Sequence, residues 1–164
     1  MKALVLALFW LASTGAWSAS IGVYEKAVSA PLEPTYKAVY EALEEARFWV
    51  VYEIDMGANL ARFAEKWGDD YNRSGLEGIR VMVVCNGWQA NRVANADPAL
   101  LAFCPLRVTL IHRDGETRVL FARPTRIAGE SPAAPVLEEV EQTIIRAIDA
   151  GAAAAAQRPR EAAP

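Results

Sequence analysis

Two cysteines, Cys85 and Cys104, have the widest chemical reach of any side chains in this 164-residue sequence. Cys85 closes the hydrophobic run 79–85, and Cys104 stands just before the run 106–112. If those runs are antiparallel neighbouring strands, both sulfurs come to one rim of a sheet. Outside the cytoplasm a cysteine pair is usually a disulfide. Here it would be a staple closing a loop of about 20 residues, worth roughly 3 kcal/mol in the chain-entropy picture. Two buried thiols, or a redox-active or metal-binding pair, are the alternatives. The spacing is not Cys-x-x-Cys, and no Cys-x-x-Cys-His signals covalent haem attachment.

Rings and amides surround the sulfurs in the reading of the chain. Asn86, Trp88 and Asn91 follow Cys85, while Met56, Trp67, Tyr71 and Asn72 come from the preceding elements. Indole rings supply contact area and amides supply orientation, so Cys85, Asn86, Trp88, Asn91, Cys104, Met56, Trp67 and Tyr71 together suit a small-ligand site. Thioether and thiol are soft donors for copper(I) or haem iron, although the residues require no cofactor. Each group also has a plainer reading: Trp67 in a core, Met56 filling a gap, the asparagines capping a turn or helix. His112, the only histidine, reads as a solvated residue near a hairpin tip. With no second histidine and no recognisable nucleophile, no acid–base machinery assembles, and the sequence leans towards binding rather than catalysis.

The elements that must position these groups follow from periodicity and turn chemistry. Residues 21–30 read as a first strand closed by Pro31. Tyr36, Val39, Tyr40, Leu43 and Ala46 give helical spacing over residues 34–47. Residues 48–54 are aromatic, β-branched or aliphatic and read as a buried strand. Leu60, Phe63, Ala64 and Trp67 form a second helical stripe ending at Gly68. After strand 79–85 come a short helix over 87–96 and a further turn opened by Asp97-Pro98. Strands 106–112 and 117–122 flank Asp114-Gly115, the dipeptide of a tight hairpin. A last helix spans 135–150, with Gly151 as its stop, and residues 151–164 read as an alanine-rich disordered tail. The order β-α-β-α-β-α-β-β-α predicts an α+β two-layer sandwich: a mixed or antiparallel sheet with helices on one face.

Ahead of the domain at residues 21–150, the first twenty residues read as a cleavable signal peptide. Lys2 supplies the positive start, residues 3–12 an apolar run, and Ala16-Trp17-Ser18 the small residues of a cleavage site, placing the mature chain in the periplasm or outside the cell. The run is shorter than the roughly 20 residues a bilayer span needs, so no membrane span is expected after cleavage. Without Lys2, 16 of the 17 basic residues remain against 20 acidic ones, a net charge of −4. That balance disfavours nucleic acid, whose binding rests on neutralising phosphates.

From Tyr36 to Ile148 the sequence resembles the domain of unknown function 302 family. The resemblance rests on a strand ending Ile54-Asp55, a helix end at Lys66-Trp67-Gly68, and a strand ending Cys85-Asn86 followed by a short helix and Asp97-Pro98. It extends to Pro105-Leu106-Arg107-Val108 opening a hairpin that ends at Pro124. It implies a small α+β sandwich, often paired into homodimers, and no activity. Where family members often carry proline after Cys-Asn this chain has Gly87; where many carry cysteine after the hairpin-opening proline it has Leu106, with Cys104 before Pro105 instead. Where one branch carries histidine after Ile-Asp, a metal or acid–base candidate, it has Met56. The expectation is an exported small-ligand-binding or accessory domain, its partner an unknown small ligand or a periplasmic protein. The alternatives are a thiol/disulfide or sulfur-handling protein acting through Cys85 and Cys104, and a haem- or copper-binding protein.

Overall fold

The computed structural model describes residues 20–157. The signal-peptide reading therefore falls almost wholly outside the described residues, as do residues 158–164. Five strands, β1 (Val23–Val28), β2 (Trp49–Asp55), β3 (Gly78–Cys85), β4 (Leu106–Arg113) and β5 (Glu116–Ala122), form one sheet in the order β1-β5-β4-β3-β2. Every neighbouring pair is antiparallel, so the sheet is wholly antiparallel rather than mixed. Among the described residues they are accompanied by the α-helices α1 (Leu32–Glu45), α2 (Met56–Ala61), α3 (Ala64–Trp67), α4 (Gly87–Ala96), α5 (Thr125–Ala128) and α6 (Ala134–Gln157).

Strand alternation sets the core. Val108 lies opposite Phe121 and Leu110 opposite Val119, all buried together with Met82 and Val84. Against them pack Tyr36, Val39 and Leu43 of α1 and Val140, Ile144 and Ile148 of α6, at the helical spacing that gathers apolar residues on one stripe. The expected two-layer α+β sandwich is thus built by α1 and α6 covering one face of the sheet. Among the described residues, no helix is long and apolar enough to cross a membrane.

The hairpin forms as its dipeptide demands, with Asp114 at φ 53° and Gly115 at φ 76°. Residues 48–54, expected as a buried strand, form instead the edge strand β2, with Trp49, Val51 and Tyr52 exposed. Two further expectations are corrected. Gly151 does not stop the last helix, because α6 continues to Gln157, and residues 151–157 are ordered helix rather than tail. Ala152 and Ala155 are buried against Val28, Ala30 and Ala38. A Cβ on Gly151 would stand 2.6 Å from the Val39 Cα and 2.8 Å from the Ala38 carbonyl oxygen, so this glycine lets α1 and α6 cross in contact. The second correction concerns the 60–67 stripe. It is two short helices, the first starting at Met56 and capped by Asp55, whose Oδ1 accepts from the Ala58 N–H at 2.8 Å.

Candidate functional site

Successive connections of an antiparallel meander lie at opposite ends of the sheet, and this separates the sequence-predicted residues into two groups. The β2–β3 connection carries Met56, Trp67, Tyr71 and Asn72. The β3–β4 connection carries Asn86, Trp88, Asn91 and Cys104, with Cys85 at its start. The two ends of β3 are about 23 Å apart at roughly 3.3 Å per residue, so the eight residues do not share one site. In particular, Met56 is not brought to either cysteine.

At the second end, both cysteines do reach one rim. Val84 pairs with Leu106, which leaves Cys85 and Cys104 just past the last pair, on facing chains. Both line a small apolar cavity with Phe48, Val93 and Leu137. Neither is bonded: both are free thiols, so the expected disulfide staple is absent from this structure. Burial pushes the Cys104 thiol up and the neighbouring Cys85 adds to it, which disfavours its thiolate. The volume open to the centre of a water molecule there is about 20 Å³, room for one or two waters and no ligand. Asn86 caps α4: its Oδ1 accepts from the Gln89 N–H at 3.0 Å while its Nδ2 donates to the Arg47 carbonyl. Trp88 and Asn91 are exposed on α4 and line no part of this cavity.

The first end holds a true groove. On the same measure it encloses about 380 Å³, between α2, the loop after α3 and the start of β3, within the range of small-ligand sites. Leu60, Trp67, Tyr71, Leu76 and Ile79 form its apolar wall, with Asp70, Asn72, Ser74 and Glu77 as polar lining. The rings follow in series: Phe63 stacks on Trp67 at 5.1 Å between centroids, and Trp67 meets Tyr71 in a tilted contact at 6.5 Å. Met56, 38 % exposed, starts α2 outside the lining.

Local bonds fix this groove to the rigid sheet. Asn72 takes a left-handed backbone at φ 49°. Its Nδ2 donates to the Leu76 carbonyl and its Oδ1 accepts from the Leu76 N–H, both at 2.9 Å, closing the loop on itself. The hairpin tip then anchors that loop: Arg113 donates to the Ser74 carbonyl at 3.0 Å, and the Asp114 N–H donates to Glu77 Oε1 at 3.1 Å. The Glu77 N–H donates to the His112 carbonyl at 2.9 Å. His112 is not the solvated residue its position suggests. Its ring lies 2.8 Å from the buried Thr117 hydroxyl, which donates to the Ala30 carbonyl, and its Nε2 is 3.6 Å from Glu77. Beneath the same end, Arg80 lies over the Tyr36 ring at 4.4 Å and reaches Glu33 at 2.6 Å, tying β3 to α1.

Sequence reasoning found Trp67, Tyr71 and Asn72 but not Leu76, Glu77 or Ile79. Their signal was the polar loop's length and its return into the most hydrophobic strand.

Fold and groove define a class: a small antiparallel α+β sandwich with an open aromatic groove at one end of its sheet. A family model described as Domain of unknown function DUF302 matches residues 24–151. The chain belongs to the DUF302 family. Among solved structures it is similar to the crystal structure of an uncharacterized conserved DUF302 protein from Bacillus stearothermophilus. That match has a TM-score of 0.68 at 21 % identity and covers 79 % of this chain and 98 % of that one. No curated protein matches the chain significantly.

Proposed function

We propose that this domain is a non-enzymatic, exported small-ligand-binding protein whose site is the groove formed by Leu60, Trp67, Tyr71 and Ile79. The observation that carries the reading is the contrast in space: about 380 Å³ beside stacked rings against about 20 Å³ at the sulfur rim. Trp67 is 40 % exposed, so its ring offers surface to a ligand rather than to the core. The probe for a test is 3-phenylpropan-1-ol, a neutral aromatic of the right size, titrated with tryptophan fluorescence and ligand-observed NMR. Trp67→Ala is expected to weaken binding at least tenfold, a loss of roughly 1.4 kcal/mol or more. Trp88→Ala at the far rim is expected to change nothing. Equal weakening by both substitutions, or none by Trp67→Ala, would refute the site.

A second reading concerns the cysteines, because both face one cavity. Two neighbouring thiols can exchange with the disulfide of a partner oxidoreductase: two electrons and two protons pass to the partner, which leaves as a dithiol, and Cys85–Cys104 becomes the disulfide. We further propose a homodimer formed through β2, an edge strand whose Trp49, Val51 and Tyr52 are all more than half exposed. An edge with free backbone groups and apolar side chains is a ready pairing surface. Native mass spectrometry of the protein recovered from its own producing cell addresses these points together. The expected masses are those of a chain starting at residue 19 or 21, doubled. A chain retaining residues 1–18 argues against export, and a single-chain mass argues against the dimer. A deficit of about 2 mass units per chain marks the disulfide of the exchange reading; two alkylatable thiols after exposure to an oxidised dithiol protein count against it.

A further inference from the structure

The groove's lining is one-signed. Asp70 and Glu77 contribute carboxylates, and no lysine, arginine or histidine belongs to the lining. Neither acid is buried: their side chains are 84 % and 56 % exposed. Asp70 is loosely held by Arg73 at 3.4 Å. Glu77 spends one oxygen on the Asp114 N–H and keeps the other 3.6 Å from His112 Nε2. The His112 ring, with its Nδ1 2.8 Å from the Thr117 hydroxyl, has a donor role on that side when the hydroxyl donates to the Ala30 carbonyl. Trp67 and Tyr71 belong to the same lining as the two acids, and the negative face of an aromatic ring attracts a cation much as a carboxylate does. An anionic ligand would meet repulsion from both acids and find no lining base to pair with.

We infer that the groove takes a small organic cation with an apolar or aromatic body, its ammonium end at the Asp70–Glu77 mouth and its body against Trp67, Tyr71 and Ile79. This rests on the proposal that the groove is a ligand site and adds the ligand's class. An apolar body alone would be held by the wall. The charge selects among molecules of the same size, because a cationic end group is favoured by both the rings and the carboxylates. Salt weakens such a contact at exposed acids.

Three probes of one shape and three charges test it: 3-phenylpropylammonium, 3-phenylpropan-1-ol and 3-phenylpropanoate, each titrated into the full-length mature protein by calorimetry or NMR. The ammonium is expected to bind at least tenfold tighter than the alcohol, and the carboxylate more weakly than either. Glu77→Gln is expected to weaken the ammonium about fivefold and leave the alcohol unchanged, while Trp67→Ala weakens both. Raising salt from 50 to 500 mM is expected to weaken the ammonium alone. If the alcohol or the carboxylate binds as tightly as the ammonium, with Trp67→Ala still weakening it, the charge assignment is overturned and the groove stands. If no probe responds to Trp67→Ala, both fall.

Discussion

Replacing Gly151 with alanine is expected to lower stability by about 2 kcal/mol, whereas the same change at Gly87 raises it. In an exposed helix, alanine is favoured over glycine by up to about 1 kcal/mol. Gly87 opens α4, and a Cβ there meets nothing within 4 Å, so a fraction of that gain is available. At Gly151 the new methyl would meet three backbone atoms of α1: the Val39 Cα at 2.6 Å, the Ala38 oxygen at 2.8 Å and the Val39 nitrogen at 2.9 Å. Backbone cannot rotate aside as a side chain does, so the two helices must separate. Overfilling a packed core costs typically 1–3 kcal/mol and at times more, which exceeds the propensity gain. The separation would also loosen Ala152 and Ala155 from Val28 and Ala38. Thermal unfolding followed by circular dichroism should show Gly151→Ala melting about 8 °C lower at roughly 4 °C per kcal/mol, and Gly151→Leu failing to fold. A Gly151→Ala protein as stable as the parent would mean that α1 and α6 do not cross in contact.

The second large effect lies at Glu141, a carboxylate in α6 with only 1 % of its surface exposed. It accepts from Arg123 Nε at 2.8 Å, from the Thr125 N–H at 3.1 Å and from the Thr125 hydroxyl at 2.5 Å. Burial alone would raise its pKa, but the Thr125 hydroxyl and the Arg123 guanidinium outweigh that and hold it below the usual carboxylate range. Glu141→Ala would strand a half-buried guanidinium and two donors. Breaking a buried pair costs about 3–5 kcal/mol, and the partial exposure of Arg123 places the expected loss near the lower figure. The pH dependence follows in sign. Because the folded pKa lies below the unfolded value of about 4.3, the stabilisation is complete above that pH and is lost as pH falls through the folded pKa. Asp149, held below its usual range by Tyr24 and Lys26 against the opposing effect of burial, contributes in the same acid window. Urea titrations from pH 7 to pH 3 should therefore give a shallower acid decline for Glu141→Gln than for the parent, with a residual slope from Asp149. Identical slopes would remove Glu141 from this role.

Much of the fold was legible because local rules and packing agreed. The 34–47 stripe, the Asp114-Gly115 hairpin and the Asn86 cap all form where residue chemistry places them. Gly151 was misread for a definite reason. A glycine after an apolar stripe is a normal helix stop, and only the position of another helix distinguishes that from a glycine needed for close approach. The candidate site was half legible. Both cysteines meet at one rim, as their places at strand ends require, but they meet as thiols around a space too small for a ligand. Trp67 and Tyr71 were grouped with them because the strand order was open. Once β2, β3 and β4 are known to be antiparallel neighbours, the two connections must lie at opposite ends of the sheet. In sequence Asp69-Asp70 is an adjacent acid pair, a cation candidate that is more often simply solvated, and Glu77 carries no signal of its own. Their meaning comes from the loop that Asn72 closes and the hairpin tip anchors, contacts that span 37 to 39 residues of chain.

The most direct measurement is backbone and indole N–H shift mapping by NMR as 3-phenylpropylammonium is added to the protein. The account predicts that perturbed signals cluster at Leu60, the Trp67 indole, Tyr71, Glu77 and Ile79, with those of Cys85, Trp88 and Cys104 unmoved. Shifts centred on the cysteine rim, or scattered over the surface without saturation, would contradict it.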